Sequence, residues 1–110
     1  MPAAKPKPWN ADQIAAFLNE SRIPLRLAVL DQTGCPRVVS LWFLPGEDGA
    51  LWCATQAGAQ VARFLAAVPR CGFEVAGDQP PYRGVRGTGL ASLHPDRGEE
   101  ILRRLLERYG

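Results

Sequence analysis

The sequence predicts an α+β domain, mainly β with flanking helices, whose antiparallel strands curl into a small barrel. Three observations carry this reading. Apolar runs rich in Val, Leu, Trp and Phe are separated by turn-forming clusters at Asp31–Pro36 and Pro45–Gly49, the signature of successive hairpins. The apolar period switches to about 3.6 before, between and after the strands, which places three helices. The last predicted strand carries Gly84, Gly87 and Gly89. Repeated glycine inside a strand marks a bulge, a sharp barrel bend or a close approach, and the bend is the commoner reason. The resulting order is α-β-β-β-α-β-β-α with short connections.

Residues 1–9 hold charge and proline but no apolar run of secretory-signal type, and they read as a flexible arm before a single domain at 10–110. Asn10 and Gln13 have capping-box spacing, and Ile14, Phe17 and Leu18 then form one apolar stripe. Pro24 forbids continuation of that helix. The first strand spans Leu25 to Leu30. Gly34 serves the following turn because it takes positive φ without steric cost. The second strand, Arg37 to Leu44, is apolar at nearly every position, so both of its faces are expected to be covered. The third spans Ala50 to Ala54. Val61, Phe64, Leu65 and Val68 share a helical face within 58–68, and Pro69 stops that helix. The fourth strand is Arg70 to Ala76 and the fifth Tyr82 to Leu93. The last helix has Asp96 and Glu99 at capping spacing and an expected buried face of Ile101, Leu102, Leu105, Leu106 and Tyr109. Glu99 with Arg103, and Glu100 with Arg104, are spaced for i,i+4 pairs on a solvated face.

The totals narrow the function. A chain of 110 residues with 46% hydrophobic and 22% charged residues has the composition of an ordinary globular domain. Its net charge of +2 is too small to suggest a nucleic-acid partner by itself. No apolar stretch is long enough to span a membrane, because Arg26, Asp31, Arg37 and Pro45 interrupt the best candidates. Cys35, Cys53 and Cys71 lack CxxC spacing and are odd in number, which fits reduced cytoplasmic thiols. Cys53 and Cys71 read as small core residues. A single histidine, His94, offers little for a metal site. GxSxG, HExxH, Walker and GxGxxG motifs are all absent. The polar junction from Thr55 into the second helix could bind an anion at free N–H groups, although capping by Thr55 and Gln56 is the plainer local reading.

Several segments carry a resemblance. Arg26-Leu-Ala-Val-Leu-Asp31 with Gly34 and Pro36, then Ser40-Leu-Trp-Phe43, then Leu51-Trp-Cys-Ala-Thr55, resemble the pyridoxamine 5'-phosphate oxidase-like split-barrel flavoproteins. Ala62-Arg-Phe-Leu65, Pro69-Arg70 and Pro80-Pro-Tyr-Arg-Gly-Val-Arg-Gly87 continue the match, which covers residues 25 to 110. The resemblance implies a split β-barrel and a homodimer. It also implies FMN, or the deazaflavin F420, in clefts at the subunit interface. It places Val39, Ser40, Leu41 and Trp42 along the cofactor ring, largely through backbone groups. Thr55 and the helix start with Gln60 and Arg63 are placed near the phosphate, and Tyr82 and Arg83 complete the candidate cofactor-binding residues. No catalytic side chain and no metal ligand is implied. The chain departs from the family at Ala59-Gln60-Val61, where many members have Ser-Arg-Lys. That change removes two charge-assisted phosphate contacts, each usually worth about 1.5–3 kcal/mol. Arg63, Arg26, Arg37 or an arginine of the second subunit could take their place. The family also commonly adds a strand after the last helix.

Two functions compete on this basis. The first is an FMN- or F420-dependent oxidoreductase acting by hydride transfer on a small-molecule substrate, with the redox chemistry lodged in the cofactor. Pyridoxamine phosphate oxidation itself is less expected, because no cationic cluster for a second phosphate is evident along the sequence. The second is a non-catalytic dimeric barrel that carries or senses a small ligand, which the change at Ala59-Gln60-Val61 favours. A nucleic-acid binder using Trp42, Trp52, Tyr82 and Arg83 is a distant third, since it needs exposed aromatics in a basic groove.

Overall fold

A computed structural model describes residues 8–56 and 58–110. Residues 1–7 of the expected arm lie outside the described ones, while Trp9 lies against Phe17 with ring centroids 5.1 Å apart. Helix α1, Ala11–Glu20, starts on the predicted capping box: the Asn10 side chain accepts from the Gln13 N–H at 2.8 Å, and the Gln13 side chain accepts from the Asn10 N–H at 2.9 Å.

Six strands follow, built into two antiparallel sheets. Strands β1 (Leu25–Leu30), β2 (Pro36–Leu41), β5 (Arg70–Ala76) and β6 (Gly84–Leu90) form a four-stranded sheet in the order β2-β1-β5-β6. Strands β3 (Phe43–Pro45) and β4 (Leu51–Cys53) form a two-stranded sheet. Helix α2, Gln60–Ala67, lies between β4 and β5 and packs on β1. A 3-10 turn at Pro95–Arg97 leads into α3, Gly98–Tyr109. The fold class is therefore α+β with antiparallel strands, as the sequence predicts, and the strands are divided between two sheets.

That division corrects the single long second strand expected from Arg37 to Leu44. The cause lies in the neighbouring strand. Pro24 has no N–H to donate, so β1 begins at Leu25, which pairs with Leu41. Beyond Leu41 the chain has no partner on β1, and after Trp42 it pairs with β4 instead, Phe43 opposite Cys53.

The core gathers where the sheets meet. Leu25, Phe43 and Val75 form one buried cluster, with Phe43 and Val75 fully enclosed and Phe17, Leu18, Leu27 and Phe73 packed around them. A second cluster, Leu44, Ile101 and Leu105, joins the two-stranded sheet to α3. Arg108 ties α3 to the end of α1 by donating to the carbonyls of Leu18, Asn19 and Ser21 at 2.6–3.0 Å. Those carbonyls are orphans of the helix end, and a cation suits them.

Four further expectations are corrected. Strand β6 is shorter than 82–93, because its ladder ends where seven-residue β5 ends. Asp96 does not cap α3: the helix starts one residue later, after Arg97, with no side-chain cap. Leu102 and Leu106 are exposed at 51% and 65%, so the buried face of α3 is the narrower stripe of Ile101 and Leu105. Close approach, and not a bend, accounts for two of the strand glycines. A Cβ at Gly84 would strike Ala76 and come within 2.9 Å of the Val75 carbonyl, and one at Gly87 would meet the Phe73 ring at 3.1 Å.

Candidate functional site

The β1–β2 hairpin is set by its turn. The buried Asp31 carboxylate accepts from the N–H groups of Thr33 and Cys35, from the Thr33 hydroxyl at 2.6 Å, and from Arg37 Nε at 3.0 Å. Gly34 takes φ +81° to close the turn. These hydrogen bonds, the Thr33 hydroxyl foremost, hold the Asp31 carboxyl far below the usual carboxylate range against the opposing effect of burial.

From this turn β2 runs along one edge of the four-stranded sheet. Pairing of Val39 with Leu27, Ser40 with Arg26 and Leu41 with Leu25 leaves its other edge without a strand partner among the described residues. Alternation puts Val39 and Leu41 on the core face, half-buried, and Val38 and Ser40 on the outer face. Val38 is 70% exposed. The expected double coverage of this strand is thus absent within one chain, because no described element lies over the outer face. The same face carries a hollow of about 650 Å³ lined by Ala28, Leu30, Pro36, Gly72, Thr88 and Leu90.

At the end of β2, Trp42 is 51% exposed and lies on Tyr109, with ring centroids 4.1 Å apart. The Tyr109 hydroxyl donates to the Phe43 carbonyl at 3.0 Å and accepts from the Phe43 N–H at 3.4 Å. Tyr109 therefore fixes the backbone at the break between the sheets. The sequence placed Tyr109 on a helix face but missed this role; the available signal was a phenol that needs a partner when it is partly buried.

Thr55 is exposed, and Ala59 is the N-cap of α2 with no side-chain hydrogen bond. Gln60 and Arg63 share the exposed face of the helix, opposite the buried Ala62 and Leu65. Tyr82 and Arg83 precede β6, on the far edge of the sheet from β2. Three strand spacings, roughly 14 Å, separate those edges. One chain therefore does not bring Tyr82 and Arg83 beside Val39–Trp42.

It does bring together charges that are far apart in sequence. Register places Ser40, Arg26, Glu74 and Arg86 in one row across the outer face. Glu74 sits between Arg86 at 3.5 Å and Arg26 at 4.0 Å. Beside this row a cleft of about 190 Å³ is lined by Glu74, Ala76, Tyr82, Arg83, Gly84 and Arg86. Only strand pairing reveals this cluster.

Other polar groups have structural partners. His94 Nε2 and the Ser92 hydroxyl are 2.8 Å apart, and the imidazole and Arg97 both lie on Trp52. Arg97 makes a two-pronged pair with Glu100 at 2.9 and 3.0 Å. Burial pushes the Cys53 thiol up to about 12 and raises that of Cys71, so neither is a thiolate near neutrality. Among the described residues no group of three or more His, Cys, Asp or Glu side chains could hold a metal, and no helix is long and apolar enough to cross a membrane.

The comparisons agree with this architecture. The family described as pyridoxamine 5'-phosphate oxidase matches residues 11–110. The conserved hypothetical protein Rv2991 from Mycobacterium tuberculosis is 30% identical with a TM-score of 0.80, covering 92% of this chain and 64% of its own. This chain thus spans less than two thirds of that protein. A protein described as an F420 reductase is 26% identical with a TM-score of 0.73, covering 94% of this chain and 79% of its own. HutZ, the heme storage protein from Vibrio cholerae, is 19% identical with a TM-score of 0.69, covering 91% of this chain and 75% of its own, a likeness of fold. Among curated proteins, none matches the chain.

Proposed function

Because the chain belongs to the pyridoxamine 5'-phosphate oxidase-like split-barrel family, we propose that it binds FMN or the deazaflavin F420 and acts as an oxidoreductase on a small molecule. The observation that carries this reading is the free edge of β2, ending at a half-exposed Trp42 whose backbone neighbour is fixed by Tyr109. An edge strand offers unpaired N–H and C=O groups at every second residue, which match the donors and acceptors along the rim of a flavin-type ring. Val39 and Leu41 turn their backbone groups to Leu27 and Leu25 of β1, so Ser40, with Val38 before it, presents the free ones, and Trp42 supplies an aromatic surface. When bound, the cofactor supplies hydride transfer; the protein orients it and excludes water.

The phosphate end fits through the start of α2, where the N–H groups of Gln60 and Val61 lack a side-chain cap and the dipole favours an anion. Thr55 and Arg63 are the polar and cationic side chains of that region. The chain works as a homodimer in this reading, since Tyr82 and Arg83 reach a cofactor on β2 from a second copy. A reduced, cytoplasmic setting suits the three free thiols.

The visible absorption spectrum of the purified protein, before and after adding FMN or F420, tests the proposal. A shifted, bound-state spectrum with either cofactor is expected, and no binding of either would sink it. Replacing Ala59, Gln60 and Val61 by Ser, Arg and Lys is expected to tighten FMN binding at least about tenfold. A second reading, a non-catalytic carrier or sensor, is favoured by the uncapped start of α2 and by Ala59-Gln60-Val61, which carry no cation. Bound cofactor without reductase turnover would select it.

A further inference from the structure

We propose that the cleft between β5 and β6 is a second anion-binding site, which takes the phosphate or carboxylate group of a small-molecule ligand between Arg83 and Arg86. Within one chain the cleft lies on the opposite edge of the sheet from Val39–Trp42. The inference goes beyond the cofactor reading by adding Arg86 and Glu74 to the Arg83 that this reading brings to the dimer interface.

The geometry argues for it in three steps. First, one carboxylate serves two guanidinium groups. Glu74 stands between Arg26 and Arg86, and among the described residues neither arginine has another acidic partner. Each guanidinium carries five N–H donors, whereas a carboxylate offers about four acceptor positions, so most of the donors face solvent. Second, Arg83 adds a third cation without an acidic partner among the described residues, and Glu74 is the only acidic side chain lining the cleft. With Arg26, the cluster is three positive charges against one negative. Third, the arrangement is built into the backbone. Gly84 lies between the two cleft arginines, and a side chain there would collide with Ala76 and the Val75 carbonyl. Glycine lets β6 settle onto β5, which draws Arg86 to Glu74 and keeps the cleft open beside Arg83. The 190 Å³ cleft has room for a phosphate or carboxylate group with attendant water, and the exposed Tyr82 hydroxyl is a further donor on its rim. Arginine suits such a group because its planar fork matches phosphate and carboxylate oxygens in pairs.

Glu74 has a definite part in this account. It holds Arg86 in place when the cleft is empty, and it repels an incoming anion. Its removal as a charge, with its shape kept, should therefore strengthen binding.

Inorganic phosphate is the probe, titrated into the whole chain and followed by phosphorus NMR line broadening. The Arg83→Ala/Arg86→Ala double variant is expected to bind phosphate at least about tenfold more weakly. Glu74→Gln is expected to bind it about fivefold more tightly. Arg103→Ala, on the solvated face of α3, should leave the affinity unchanged. Circular dichroism confirms that each variant is folded. Equal phosphate binding by wild type and double variant, or none by wild type, overturns the proposal. The ratio of FMN to riboflavin affinity then separates two sources of the anion. A ratio that falls in the double variant assigns the group to a cofactor phosphate, and an unchanged ratio with phosphate binding lost assigns it to a substrate. The phosphate titration contains no flavin, so its failure leaves the cofactor reading standing, and failure of the cofactor titration leaves this site standing.

Discussion

The two edges of the four-stranded sheet are made of different chemistry. The β2 edge is apolar and tightly positioned: Val38, Val39 and Leu41 lead to Trp42, and Tyr109 grips the backbone at Phe43. The β6 edge is glycine-rich and carries its information in Arg83 and Arg86, grouped around Glu74. The first edge is anchored where it ends, by the buried packing of Phe43 and by hydrogen bonds to its main chain, and the second is held by exposed ion pairs. Buried packing is costly to disturb, whereas exposed ion pairs contribute little to stability. One edge can therefore be tuned for charge without endangering the fold, while the other presents a backbone in a fixed position.

Mutations that separate stability from binding put this contrast at risk. The largest effect is expected at Phe43, which has no exposed surface and joins the two sheets. Phe43→Ala should cost about 3–5 kcal/mol in denaturant unfolding, and a loss below about 1 kcal/mol would mean that the junction is not the centre of the core. Next comes Tyr109→Phe, which keeps the ring on Trp42 but removes both hydrogen bonds to Phe43. It should cost about 1–2 kcal/mol, with faster amide exchange at Phe43; unchanged exchange would remove the clamp from the account. On the other edge, Arg86→Ala breaks a pair whose arginine is 83% exposed and should change stability by less than about 1 kcal/mol. A larger loss would make the ladder structural and erase the contrast.

The hairpin turn between β1 and β2 adds a dependence on pH. The Asp31 carboxyl is held below its unfolded value of about 3.9, so it contributes stability above that pH and loses it progressively as pH falls toward the folded value. Asp31→Asn should therefore melt at a lower temperature than wild type near neutrality, and the gap should shrink as pH falls below about 4. A gap that is constant with pH would mean that the carboxylate charge is not what orders the turn.

The sequence shows most clearly what local rules decide. The capping box at Asn10 and Gln13 forms as read, since four consecutive residues contain all of it. The first hairpin is legible from Asp31 and Gly34, and the missing cations at Ala59-Gln60-Val61 can be read directly. The break at Trp42 is hidden because it depends on where a different strand begins. The exposure of Leu102 and Leu106 is hidden for a related reason: helical period marks five apolar positions on α3, while the small sheet it meets covers fewer. The charge ladder is the clearest case. Arg26, Glu74 and Arg86 share a row only through the order β1-β5-β6, which no local pattern encodes.

Amide hydrogen exchange along the free edge of β2, measured with and without FMN or F420, tests the central claim most directly, because the proposed contacts are made by backbone groups. The account predicts slowed exchange at Val38, Ser40 and Trp42, whose N–H groups face away from β1, on adding the cofactor, with the core of β5 unchanged. Cofactor binding that leaves those amides exchanging at their free rate would contradict it.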